Sequence, residues 1–156
     1  MNIAALYISP GHNYLGHYGL PPGKYPVESV QTVECLAGRG LVADRFFDHK
    51  PDFAGQVTFF AMEVYEEIRR ALNCMDQPPS VFRRNVLSRG LDLNVLIGAE
   101  FEVQGVRFAG MRECTPCYWM DQAFAPGAEA WLKGRGGLRA RILTSGWLKV
   151  DAPLPC

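Results

Sequence analysis

Glu100-Phe101-Glu102-Val103-Gln104-Gly105-Val106-Arg107-Phe108-Ala109-Gly110-Met111 holds two alternating runs on either side of a Gln-Gly pair. Successive side chains on a strand point to opposite faces, and a two-residue turn containing Gly joins antiparallel strands. The stretch predicts a hairpin of Glu100–Gln104 and Val106–Met111. The same alternation runs through Leu138–Thr144 and Trp147–Val150, with Ser145-Gly146 read as a second hairpin turn. Working toward the N-terminus, Val81–Leu87, Gln56–Ala61, Val27–Val33 and Asn2–Ser9 are strand candidates, and the Gly-, Pro- and Tyr-rich 12–26 stretch reads as a long ordered loop. Only Met62–Leu72 is clearly helical, with Val64, Tyr65, Ile68 and Leu72 on one face and Glu63, Glu66, Glu67, Arg69 and Arg70 on the other. Shorter helical pieces are expected near 116–124 and 127–133. Many short strands and few helices predict a mainly β (α+β) fold: an antiparallel β-barrel with a few short helices.

The chain has 156 residues, 48% hydrophobic and 21% charged, as expected of one soluble domain over 1–156. Its 16 Gly and 11 Pro suit tight turns rather than a helical bundle. No apolar run approaches the roughly 18 residues of a membrane span. The start Met1-Asn2-Ile3-Ala4-Ala5-Leu6 lacks a secretory pattern, so the expected location is the cytoplasm. Five cysteines, an odd number, fit poorly with a paired disulfide framework. Formal net charge is zero, with a basic excess after residue 83. That balance allows a local anion site but supports neither a nucleic-acid surface nor a membrane one.

Three motifs carry chemistry. Cys114-Thr115-Pro116-Cys117 is the sharpest. Its thiols read as a structural zinc pair, a redox pair, two buried apolar side chains, or a single reactive or metal-ligating thiolate. No second Cys or His pair completes a zinc site, and no βαβ unit precedes the motif. Phe82-Arg83-Arg84-Asn85, read as a strand, puts Arg83 and Asn85 on one face and Arg84 on the other. A guanidinium fork beside an amide suits a phosphate or a polar ring edge, while the plain alternative is a charged edge strand. Gly134-Arg135-Gly136-Gly137-Leu138-Arg139-Ala140-Arg141 is a glycine turn feeding a strand. Alternation sends Arg139 and Arg141 outward, and only chain curvature can return Arg139 to a pocket as an anion contact. Asp44-Arg45 is a buried-pair or pocket-wall candidate. His12, His17 and His49 read as scattered loop residues.

Taken in order, Gly40-Leu41-Val42-Ala43-Asp44-Arg45, Arg83-Arg84-Asn85, Gly90-Leu91-Asp92-Leu93 with Leu96-Ile97-Gly98, Cys114-x-x-Cys117 and Gly134–Ala140 resemble the MOSC domain, the molybdenum cofactor sulfurase C-terminal family. The resemblance spans about residues 27–150. Ala43 stands where the family commonly has Gly, and Val150-Asp151-Ala152 replaces its closing Gly-Asp. The resemblance implies a barrel of the MOSC type with a pocket for the molybdenum cofactor (molybdopterin). It matches Cys117 to a molybdenum ligand, and so to the catalytic position, and Arg83 and Asn85 to a strand lying against the cofactor; Arg84, Cys114, Thr115 and Arg139 are the neighbouring cofactor-binding candidates. It implies one of two functions. The first is an oxidoreductase reducing N-hydroxylated small molecules with electrons from a separate reductase. The second is a sulfur carrier taking persulfide sulfur on Cys117 or Cys114 from a cysteine desulfurase, pyridoxal phosphate then belonging to that partner.

Overall fold

The computed structural model describes residues 1–153; Cys156 lies outside the described residues. Chain order is β1 (Asn2–Ile8), β2 (Glu28–Val30), β3 (Thr32–Leu36), β4 (Gly40–Leu41), β5 (Val57–Ala61), α1 (Met62–Ala71), β6 (Val86–Arg89), β7 (Glu100–Val103), β8 (Val106–Glu113), α2 (Trp119–Ala123), α3 (Ala128–Leu132), β9 (Leu138–Ile142) and β10 (Gly146–Lys149). Single 3-10 turns at Pro79–Phe82 and Leu93–Leu96 complete it. The fold is mainly β with a few short helices.

Seven strands form one sheet in the order β2-β1-β6-β5-β9-β8-β7, and β10-β3-β4 form a second. The expected closed antiparallel barrel is not what these ladders build. They do not close, β2 and β7 remain edges, and β5 and β6 run parallel across the α1 crossover. Strand β5 is buried along its whole length because both sheet faces are covered. Phe59 enters a core shared with Val33, Cys35, Leu41 and Leu148 of the small sheet. Its neighbour Phe60 points the other way, into a second core under the helices with Ile68, Phe82, Trp119 and Leu132. Each such fully buried side chain contributes about 2–3 kcal/mol of apolar transfer.

The Gln104-Gly105 hairpin forms as read. Both residues have positive φ, 51° and 83°, and Phe101 and Phe108 meet as a cross-strand stacked pair 5.4 Å apart. Helix α1 buries Tyr65 and Ile68 and stops where Asn73 turns left-handed at φ 49°. The Val27–Val33 strand divides into β2 and β3, which join different sheets. Ser145-Gly146 is not a hairpin turn: β9 pairs with β5 and β8, whereas β10 pairs with β3, burying Leu148 against Val33. The expected Val81–Leu87 strand is also corrected. Pro78-Pro79 starts a 3-10 turn that drops Phe82 into the helical core, and Arg83 leaves it in the left-handed conformation at φ 56°. Extended structure resumes only at Val86. Among the described residues no helix is long and apolar enough to cross a membrane.

Candidate functional site

The segment after β8 and the start of β9 are locked together by main-chain contacts. Cys114 N donates to Gly137 O at 2.7 Å, and Gly136 N donates to the Glu113 carboxylate at 3.1 Å. A Cβ at Gly136 would collide with the Cys114 carbonyl oxygen, and one at Gly137 with the Phe59 carbonyl oxygen. These two glycines therefore serve the close passage of three chain segments, with the Gly136 N–H already taken by a carboxylate. Cys114 is 3% exposed, while Cys117 is half-buried.

Arg84 spends its guanidinium on this knot. Nε donates to Gly136 O (3.2 Å), Nη1 to Phe82 O (2.9 Å) and Nη2 to Cys114 O (3.4 Å). Arg83, 6% exposed, gives Nη2 to Ser9 Oγ and Gly11 O, each at 2.7 Å, and Nη1 to Tyr25 O at 3.3 Å. It thereby pins both ends of the 12–25 loop. Burial, then the neighbouring Arg45 charge, pulls its pKa down to about 10. Asn85 sits behind the wall: its Oδ1 accepts from Thr58 N and Oγ1, and its Nδ2 donates to Tyr7 O. Arg83 and Asn85 thus do not share a strand face as expected, because the left-handed turn at Arg83 breaks the alternation.

These elements enclose a cavity of about 320 Å³. It brings together Cys114, Thr115, Cys117, Arg83, Arg84 and Arg139, six of the seven residues expected at the site; Asn85 is not on its wall. Leu138, Ala140 and Ile142 are buried on β9. On the opposite face, Arg141 pairs with Asp52 at 3.1 Å. Arg139 reaches the cavity over Gly55, where a Cβ would stand 2.9 Å from its Nη1, and it has no hydrogen-bond or ion-pair partner among the described residues. Asp44 and Arg45 meet both readings given to them. They form a buried pair at 3.2 Å, Arg45 lines the cavity, and Asp44 also receives Ser9 N and Phe46 N.

Sequence reasoning missed the opposite wall. His12, Phe46, His49 and Phe53 gather there with centroid separations of 4.8 to 5.6 Å. Tyr14 lines the cavity too, stacked on buried Trp119 at 5.1 Å. Burial first, then Arg45 and His49, holds His12 below the usual histidine range, so its imidazole is neutral near pH 7. No spacing signal joins residue 12 to residue 49. Arg45, Lys50, Arg83, Arg84 and Arg139 reach the wall, and among the described residues no carboxylate does. Among the described residues no group of three or more His, Cys, Asp or Glu could hold a metal ion. Cys35, in the core with its thiol pushed up to about 12 by burial, is structural.

The architecture is similar to that of several solved proteins. The YuaD protein from Bacillus subtilis superposes with a TM-score of 0.72 at 16% identity, covering 95% of this chain and 90% of that one. YiiM from Escherichia coli gives 0.65 at 18% identity, over 98% of this chain and 68% of that one. YiiM from Geobacillus stearothermophilus gives 0.68 at 12% identity, over 97% and 72%. No curated protein matches the chain. The model of the MOSC domain matches residues 42–154, which hold the Asp44-Arg45 pair, the Arg83–Asn85 turn, the thiol loop and the glycine knot. The chain belongs to the MOSC domain family.

Proposed function

We propose that this chain binds the molybdenum cofactor and reduces N-hydroxylated small molecules, with Cys117 as the metal's protein ligand. The observation carrying the reading is one half-buried thiol on a carboxylate-free cavity that also holds an unpartnered guanidinium, Arg139. The donor set fits an anionic, sulfur-rich group. A soft thiolate suits such a metal, and Arg139 and Lys50 suit a phosphate. When bound, the cofactor would supply two-electron redox chemistry at the site.

The protein's own residues bind, orient and shield. Cys117 holds the group in place, and Arg84 fixes the loop that presents Cys117 through the Cys114 carbonyl. Arg83 holds the 12–25 loop, which brings His12 and Tyr14 to the cavity. The rings of Phe46, His49 and Tyr14 give a flat substrate an apolar surface, and neutral His12 offers a hydrogen bond without adding charge. Converting an N-hydroxyl group to an amine plus water consumes two electrons and two protons, the electrons coming from a separate reductase.

The test is metal and phosphorus analysis of protein from a cofactor-producing host. Wild type should carry molybdenum near one per chain, Cys117→Ser should lose most of it, and Cys114→Ser should keep most. Persulfide on Cys117 without metal would replace this reading with the sulfur-carrier one. Equal loss from both substitutions at unchanged stability would refute single-thiol ligation.

A further inference from the structure

A second cavity of about 360 Å³, with neither thiol of the Cys114–Cys117 loop on its wall, is lined by Ala61, Glu63, Val64, Leu91, Leu93 and Arg135 among others. That volume falls in the roughly 300–1,000 Å³ range of small-molecule sites. Two motifs left unused by the reaction build it. Gly90-Leu91-Asp92-Leu93 forms one side and Arg135 with Gly137 the other, tied by Asn94 Nδ2 donating to Gly134 O at 2.8 Å. The Asp92 side chain is occupied in accepting Asn94 N at 3.0 Å. Leu91 on the wall is 39% exposed.

Glu63 is under-coordinated there. Its Oε1 accepts one hydrogen bond, from Gly90 N at 2.8 Å, and Oε2 is buried with no donor. An ionised carboxylate has about four acceptor sites, so most of its capacity is unused. Among the described residues neither nearby cation pairs with Glu63. Arg89 donates to Glu66 at 2.8 Å, and the Arg135 guanidinium lies over the Trp131 ring at 4.1 Å. A carboxylate at the edge of an apolar cavity calls for a cationic donor that brings its own apolar cover. An ammonium has three donors, and Glu63, on the cavity wall, keeps unused acceptor capacity.

We propose that this cavity binds a primary ammonium carried on an apolar body, with Glu63 receiving the ammonium and Val64, Leu91 and Leu93 covering the body. Nothing in this depends on cofactor binding at the thiol cavity.

The full chain, labelled with nitrogen-15, is titrated with phenethylamine and, separately, with hydrocinnamate, which has a similar body and the opposite charge. Phenethylamine should shift the amides of residues 61–64 and 90–94 saturably, and hydrocinnamate should bind at least about tenfold more weakly. Glu63→Gln keeps an acceptor for Gly90 N and should weaken the amine by about tenfold, a loss typical of one charge-assisted contact. Leu91→Ser, at an exposed position, should weaken it a few-fold and decides the matter if the Glu63 variant misfolds. Absence of shifts at millimolar amine, equal binding of hydrocinnamate, or unchanged affinity in either folded variant would overturn the proposal.

Discussion

Replacing Gly136 by Ala perturbs the knot under the thiols at one atom. The new Cβ falls inside contact distance of the Cys114 carbonyl oxygen and 3.0 Å from Pro116 Cδ, and neither neighbour is the free end of a flexible side chain. The Cys114 carbonyl must retreat by about 1 Å to restore ordinary contact. That motion breaks the Arg84 Nη2 bond to Cys114 O, already 3.4 Å long, and strains the 2.7 Å bond from Cys114 N to Gly137 O. One lost hydrogen bond at about 1 kcal/mol and overpacking at about 1–3 kcal/mol sum to roughly 3 kcal/mol. For a domain of this size that lowers Tm by about 6–12 °C. Calorimetry measures the loss, and iodoacetamide labelling located by mass spectrometry follows Cys117, whose labelling rate should change by more than about threefold. A variant within about 2 °C of wild type with unchanged Cys117 labelling would refute the claim that main-chain crowding at Gly136 sets the thiol loop.

Ala43 sits at φ 70°, where a side chain costs about 1 kcal/mol, so Ala43→Gly should raise Tm by a few degrees; a fall would show that the Cβ makes a contact worth more than the strain. Arg83→Lys should lower Tm by about 4–10 °C, since a lysine cannot serve Ser9, Gly11 and Tyr25 together, and proteolysis between residues 12 and 25 should quicken. An unchanged Tm with intact loop protection would return Arg83 to a purely ligand-facing role. Because the folded pKa of His12 is lowered, the unfolded chain binds more protons below about pH 6.5, and stability should decline as pH falls through that window. His12→Asn should flatten the part of the decline that His12 causes, as read by denaturant midpoints across pH, and an identical slope in the variant would rule it out.

Short-range rules were enough for much of the architecture. Gln104-Gly105 with its flanking alternation specified a hairpin, the period of Met62–Leu72 specified a helix, and Leu138, Ala140 and Ile142 specified one buried face, because each depends on neighbours a few residues away. Six of the seven residues that the ordered motifs singled out line one cavity. Tertiary structure decided the rest. Whether 146–149 would pair with β9 or with β3 depended on a partner over a hundred residues away, so the Ser145-Gly146 turn could not reveal it. The 3-10 turn at Pro79–Phe82 arose because Phe82 had to reach the helical core, and that turned Arg83 away from the face alternation assigned. His12 and His49 came to share one wall, and Arg139 reached the cavity while Arg141 paired with Asp52, through contacts between segments distant in sequence. Local periodicity says which face a residue occupies; the packing of distant segments decides what that face meets.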